Sequence, residues 1–364
     1  MPVGLGDTSL HKVKVDRTIS SVVPVDPSGL KEGYARLDKL TKPKGSLGRL
    51  EEVAALIYAV SGGKKKGFSR KVIFILAADH GICEEGVSAY PQEVTVQMVC
   101  NFLAGSAAIN VLASHTGSEV IVVDMGVKGD ISHKKESFID KKVARGTGNF
   151  AKGPAMSVSQ AYMSIAAGID VFEQVYGSGK VDIAGVGEMG IGNTASSSAI
   201  TSAVTSLDAG LVTGRGTGLD DASYIRKVEV IRRSLSLNRP DPNDPIDVLS
   251  KVGGFEIGGM IGIILAAASK KVPVVVDGFI SSCGAMLACE LCRNAGDYLI
   301  LSHQSVEAGH AAVIRHMGKR PLLNLDMRLG EGTGSALGIG VAEAAVKLMN
   351  GMATFGEAGV SENK

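Results

Sequence analysis

The feature that most restricts the fold is the run VIFILAA at 72–78, a stretch without a single polar side chain. A strand exposed on one face alternates apolar with polar residues, so an unbroken run marks a strand buried on both faces. Comparable runs recur at 120–123, 183–186, 272–276 and 298–301, with helical patterns between most of them. Strand then helix, repeated, calls for a parallel sheet with crossover helices on both faces, an α/β fold. In such sheets ligands settle beyond the carboxyl ends of the strands. The segments after the runs are therefore where function is to be sought.

Those segments are polar and rich in glycine. They read DHGICEEGVSAYPQ at 79–92, DMGV at 124–127 with RGTGN further on at 145–149, GEMGIGNT at 187–194, DGF at 277–279 and SHQSVEAGH at 302–310. One more stretch, MRLGEGTGS at 327–335, sets Glu331 between glycines at the mouth of an apolar helix. Flanking glycines remove the side chains that would cover the carboxylate and leave it facing whatever the loop encloses. Glu331 then is either a reacting group or an acid that stabilises the first turn of the following helix against its dipole. The company of so many other polar loops at one sheet edge favours the first reading.

Length and charge set the outer limits. A chain of 364 residues buries a large core and suggests two domains, or one large α/β domain with an appendage. Thirty-eight basic residues against 37 acidic ones leave a formal charge of +1, so nothing points to nucleic acid. Residues 1–20 are polar and interrupted by charge, unlike a secretory leader, and the longest apolar run, 258–268, is too short to cross a bilayer. A cytoplasmic protein without a membrane partner is expected. The five cysteines, scattered and odd in number, argue for a reducing compartment. Cys289 and Cys292 have metal-ligand spacing but no second pair, and their apolar surroundings favour buried thiols.

Four further patterns bear on chemistry. Near the N-terminus, Leu30, Tyr34, Leu37 and Leu40 share one helical face and Leu50, Val53, Leu56 and Ile57 another. The turn between them carries Lys42, Lys44 and Arg49, which suit solvated surface or an anion contact. Gly185, Gly187 and Gly190 form a G-x-G-x-x-G after a strand, which alone suggests a dinucleotide fold. Glu188 inside that loop would repel a pyrophosphate, however. The Asn193-Thr194 helix start that follows suits a single phosphate instead. The stretch TGRGTGLDD at 213–221, with Gly216 at its centre, can present successive amides to an anion, and Lys227 follows in the next helix as a point charge over it. No metal-binding or G-x-S-x-G signature is present.

Taken together, KPKGSLGR at 42–49, ADHG at 78–81 with GVSAYPQ at 86–92, GEMGIGNT at 187–194, DVLSKVGG at 247–254, DGF at 277–279 and RLGEG at 328–332 resemble the nicotinate-nucleotide:dimethylbenzimidazole phosphoribosyltransferase family. The resemblance runs from about Leu40 to the C-terminus, with the motifs in the same order. It implies transfer of 5-phosphoribose from nicotinate mononucleotide to a benzimidazole, giving α-ribazole 5′-phosphate and nicotinate, without a cofactor. It also implies a homodimer and a Rossmann-like doubly wound sheet, residues 67–331, beside a small helical domain made of 1–66 and 332–364. Position by position, Glu331 matches the family's general base and Glu188 its second carboxylate near the ribosyl substrate. Lys227 and Ser305 match nucleotide contacts, and Ser88, Tyr90 and Gln97 match the pocket of the incoming base. Gly187, Gly190, Asn193, Thr194 and Gly216 complete the expected substrate-binding set. The competing readings are an NAD-dependent oxidoreductase built on the Gly185 loop and a non-catalytic nucleotide-binding module.

The reaction suits such residues. The leaving nitrogen of nicotinate mononucleotide is already cationic and departs as a neutral pyridine, so no metal is needed to carry away charge. Bond breaking leaves oxocarbenium character on the ribose, which carboxylates stabilise. The incoming azole loses its N–H proton, which requires a base within hydrogen-bond reach.

Overall fold

The computed structural model describes residues 5–131, 135–216 and 218–361. Six strands, β1 (Lys71–Ala78), β2 (Glu119–Gly126), β3 (Phe138–Asp140), β4 (Ile183–Met189), β5 (Val274–Val276) and β6 (Leu299–Leu301), form one sheet in the order β3-β2-β1-β4-β5-β6. All of its neighbours are parallel. This is the doubly wound order that reverses direction between the first and fourth strands, where such sheets open a crevice for ligand.

Every residue of β1 is buried, as its apolar run requires. Strand β3 has no such run, because it is a half-exposed edge of three residues that pairs only with β2. It is invisible to a reading that looks for continuous apolar sequence. Strand β5 starts at Val274, two residues later than its run, since Pro273 precedes it and cannot donate to a ladder.

The helices, in chain order, begin with α1 (Leu5–Ser20), α2 (Pro27–Leu37), α3 (Arg49–Ser61), α4 (Val94–Ala104), α5 (Ala108–Thr116) and α6 (Val158–Ser178). Next come α7 (Asn193–Thr205), α8 (Ala209–Val212), α9 (Asp221–Asn238), α10 (Pro245–Val252) and α11 (Phe255–Ser269). The last are α12 (Phe279–Leu291), α13 (Ala308–Met317), α14 (Thr333–Gly351) and α15 (Phe355–Ala358). Alternate side chains divide them into two layers. Phe74 and Leu76 of β1 share a core with Ile165, Phe172, Ile261 and Met286 from α6, α11 and α12. Ile73 and Ile75 point the other way, into a core with Ile57, Phe102, Ile109 and Ile339 from α3, α4, α5 and α14.

Helix α11 explains the long apolar run at 258–268, since it is buried on all sides. It lies so close to α6 that a Cβ added at Gly262 would sit 2.0 Å from the Ile165 carbonyl oxygen. The chain ends also meet. Leu40 pairs with Thr354 in an antiparallel bridge, Thr41 N–H donates to Ala353 O at 3.0 Å, and Phe355 N–H donates to Lys39 O at 3.1 Å. Helix α1 sits on the opposite face, where Lys14 pairs with Asp170 and Glu173 of α6.

Candidate active site

The carboxyl ends of β1, β4, β5 and β6 deliver Asp79, Glu188, Asp277 and Ser302 to one edge, and α14 starts directly over them. That start is unusual. Gly330, Glu331 and Gly332 have φ of 78°, 61° and 79°, three left-handed residues in succession, and Glu331 has no glycine's freedom to be there. The conformation is held from across the sheet. Asp277, fully buried, accepts from Gly334 N–H at 2.7 Å through one carboxylate oxygen and from Gly332 N–H at 2.8 Å through the other. Ser335 Oγ lies 2.8 Å from Val186 O and 2.9 Å from Val275 O, which ties the helix between β4 and β5.

Asp277 therefore satisfies the amides of the first turn of α14. The dipole role that competes for Glu331 in the sequence belongs to Asp277, and the Glu331 carboxylate is turned to the cavity it lines. Glu331 is 7% exposed, and burial, then the nearby Asp277, pushes its pKa up to about 7. Glu188, the penultimate residue of β4, is 5% exposed and accepts from Asn193 Nδ2. Burial, followed by the charges of Asp277 and Glu256, raises it to about 8. The two acids are neighbours, for a Cβ placed on Gly330 would lie 2.5 Å from Glu188 Oε1.

The G-x-G-x-x-G pattern has a different purpose from the one its spelling suggests. Gly185 and Gly187 lie within β4, not in a loop after it. A Cβ at Gly187 would stand 2.3 Å from Gly332 N, and one at Gly185 would stand 3.0 Å from Ser335 Cβ. These glycines make room for the start of α14, which occupies the space a pyrophosphate would need. The dinucleotide reading is corrected on that ground.

At the other end of the crevice α7 begins at Asn193, after left-handed Gly192. Lys227 reaches there from α9, completely buried, and its Nζ donates to Thr194 Oγ1 at 2.9 Å and to Gly214 O at 3.2 Å. Gly216, with φ of 54°, crosses the ammonium, a Cβ there falling 3.3 Å from Nζ. Burial lowers Lys227 to about 8. Ser305 stands on the facing loop, whose shape is fixed by His310. The backbone N–H of Ser305 donates to His310 Nδ1 at 2.8 Å, so Nε2 carries the proton and donates to Ser282 Oγ at 2.9 Å. Burial pushes His310 down to about 3, which keeps it neutral. His303 Nδ1 is 3.1 Å from Ser302 Oγ and 3.8 Å from Asp277. His310 is thus engaged in holding the loop, whereas His303 lines the cavity between the two ends.

A cavity of about 780 Å³ joins the two ends. Glu188, Glu331, Asn193, Thr194, Gly190, Gly216 and Ser305 line it, together with Phe279 from the start of α12 and with Ser88, Tyr90, Val94 and Met98. Gly187 lies beneath α14 and Lys227 behind Thr194 and Gly216, so neither contributes wall surface. Gln97 does not reach it. Val94 and Met98, four residues apart on α4, face the cavity, whereas Gln97 is exposed on the side of the helix turned to solvent. A second cavity of about 520 Å³ adjoins the first and shares Gly216, Glu307 and Arg328 with it.

Several groups at the site escape a reading of the sequence. Asp277 and Glu307 lie in stretches picked out for their glycines, but their roles depend on elements far away in the chain. His80 and Glu256 form a fully buried pair, Nε2 to Oε1 2.6 Å, behind Gly190. No spacing links residues so far apart. Cys289 and Cys292 are free thiols at the end of α12, and burial raises Cys289 to about 12.

The chain is similar to known proteins along nearly its whole length. A family profile described as phosphoribosyltransferase (DBI_PRT) matches residues 22–360. The nicotinate-nucleotide–dimethylbenzimidazole phosphoribosyltransferase of Geobacter metallireducens is 52% identical over 347 residues, which covers 95% of this chain and 98% of that one. The enzyme of the same name from Desulforudis audaxviator is 52% identical over 348 residues, 96% of this chain and 98% of its own. Among solved structures, CobT from Thermus thermophilus superposes with a TM-score of 0.87 at 41% identity, covering 93% of this chain and all (100%) of that one.

Proposed function

We infer the chemistry of the crevice from the premise that this chain belongs to the nicotinate-nucleotide–dimethylbenzimidazole phosphoribosyltransferase family. It is a phosphoribosyltransferase of cobalamin biosynthesis, moving 5-phosphoribose from nicotinate mononucleotide to dimethylbenzimidazole and releasing nicotinate. The observation that carries the assignment of residues is the polarity of the cavity: two buried carboxylates at one end, a buried lysine among glycines at the other.

In our reading the nucleotide spans those ends. Its phosphate rests at Thr194, Gly216 and Ser305 with the charge of Lys227 behind them, and its C1′ lies between Glu188 and Glu331. The cationic pyridinium favours the ionised form of both acids, which burial alone disfavours. As the glycosidic bond breaks, their charge stabilises the oxocarbenium ion. The base enters from the Ser88–Met98 side and attacks the face opposite the departing nicotinate, which inverts C1′ and yields the α-anomer. Glu331 takes the azole proton, and a carboxylate poised near 7 is a better base than an ordinary one.

The same proposal includes a homodimer and the grouping of 1–66 with 332–364 as one helical unit, from which α1, packed on α6 across the sheet, stands apart. The backbone bridge between Leu40 and Thr354 and the shared core of Ile57 and Ile339 support that grouping. The test is incubation of the protein with nicotinate mononucleotide and a panel of azoles, followed by mass and anomer analysis. A β-linked product, or none, would remove the mechanism.

A further inference from the structure

The loop after Ser305 leaves one acceptor unspent. Glu307 occupies the N-cap position of α13, yet its side chain makes no capping hydrogen bond. It is 9% exposed, and its Oε2 is buried without a hydrogen-bond partner among the described residues. Gly214 passes so near that a Cβ there would be 1.9 Å from that oxygen. The residue lines both cavities at their junction. Its charge also opposes the effect of burial on Lys227, which puts it near the ammonium, although the hydrogen bonds of that ammonium among the described residues go to Thr194 and Gly214. A buried carboxylate oxygen without a donor is costly, and a cap or a salt bridge would have relieved the cost. Neither does.

Oε2 is packed against Gly214, so a ligand meets the carboxylate where Glu307 lines the cavities, and the missing donor is to be sought there. Nicotinate mononucleotide offers few. Its pyridinium nitrogen has no hydrogen, its nicotinate carboxylate only accepts, and its phosphate dianion, drawn to Lys227, only accepts as well. What remains is the ribose, whose 2′- and 3′-hydroxyls are both donors. We propose that Glu307 reads a ribose hydroxyl of the donor nucleotide and so selects ribosyl over deoxyribosyl substrates. This rests on the functional reading above and adds to it a residue that sets specificity. Thr213 Oγ1, also buried and without a partner among the described residues, lines the second cavity nearby. As a hydroxyl it can donate, which suits a phosphate oxygen, whereas Glu307 can only accept.

The experiment compares kcat/KM for nicotinate mononucleotide and its 2′-deoxy and 3′-deoxy analogues, with dimethylbenzimidazole as acceptor. In the wild type one deoxy donor is expected to be poorer by roughly tenfold to a hundredfold, the scale of a hydrogen bond to a charged group. Glu307→Ala should bring the ribosyl donor down to that level and leave the deoxy donor within about twofold of its wild-type value, with Glu307→Gln between. A Glu307→Ala protein that keeps the wild-type ratio of ribosyl to deoxyribosyl donor would overturn the assignment. So would a wild type that uses all three donors equally, a result that needs no variant to fold. Absence of wild-type turnover with nicotinate mononucleotide itself would sink the functional reading, and the inference with it, and that control separates the two failures.

Discussion

Replacing Gly187 by alanine tests whether the seating of α14 on β4 sets the reaction rate. The new Cβ would lie 2.3 Å from Gly332 N, 2.4 Å from Gly332 Cα and 2.9 Å from Glu331 C. All three are backbone atoms, so no flexible side chain can swing aside. To reach ordinary contact the start of α14 must retreat by about 1 Å, and Glu331 moves with it. A displacement of that size at a reacting group costs on the order of 10²-fold in rate. Asp277 resists the retreat through its two bonds to Gly332 and Gly334, so strain is shared with β5 and stability should drop by about 1–3 kcal/mol, the usual range for overpacking. Lys227, Thr194 and Ser305 sit on other elements, so nucleotide affinity should stay within about threefold. The assay pairs steady-state transfer kinetics with urea unfolding and direct titration of nicotinate mononucleotide. Gly185→Ala is the internal control, since its Cβ meets the Ser335 side chain at 3.0 Å, a milder clash. A Gly187→Ala protein with wild-type kcat would refute the reasoning. Loss of rate matched by equal loss of nucleotide affinity would point to general disorder instead.

Other outcomes follow from the same geometry. Glu331→Gln keeps the shape and removes the base, so kcat should fall by about 10²–10⁴, with partial rescue by azoles of more acidic N–H; a uniform loss across the azole series would remove Glu331 from that role. Lys227→Met should weaken nucleotide binding by roughly tenfold or more and leave a free benzimidazole unaffected, as calorimetric titration of each ligand would show. Since burial lowers Lys227 to about 8, wild-type affinity for the nucleotide should decline as pH rises through 8 and the ammonium loses its proton, a trend that must be absent from Lys227→Met. Glu188 and Glu331 have folded pKa values raised from 4.5 to about 8 and about 7, so the native state holds their protons longer than the unfolded chain. Their contribution to stability is complete below about pH 4.5 and is lost as pH rises towards 7 and 8; the melting temperature of the unliganded protein should fall across that window, less steeply in Glu188→Gln and Glu331→Gln.

How far the sequence reveals such a site depends on whether its residues are marked locally. Strand β1 is legible because burial on both faces leaves an unbroken apolar run, and β3 is not, because a short half-exposed edge has no reason to be apolar. Glu331 stands out since two glycines flank it, and the same glycines give the turn its left-handed geometry. The partner that holds that turn, Asp277, lies at the end of a different strand, and no pattern in its own neighbourhood announces that its oxygens reach Gly332 and Gly334. Gln97 fails by helical register: Val94 and Met98 share the cavity side of α4, and a residue one position before Met98 is turned about 100° away.

Gly185 and Gly187 show why composition can mislead even when it is read correctly. A glycine after an apolar run says only that something approaches the backbone closely; whether that is a phosphate or another helix is decided by what the rest of the chain brings there. Here α14 arrives, carrying Glu331, so the closeness that would have admitted a pyrophosphate instead fixes an acid beside Glu188. The Rossmann strand order supplies the crevice at its switch point, but the chemistry that fills it comes from a helix more than 140 residues further along the chain. Burial, with Asp277 nearby, makes both carboxylates hold their protons to near neutral pH, and in the proposed mechanism they give them up when a positive ring enters. In that mechanism the charge that makes nicotinate a good leaving group is also the charge that readies the acids to act on it.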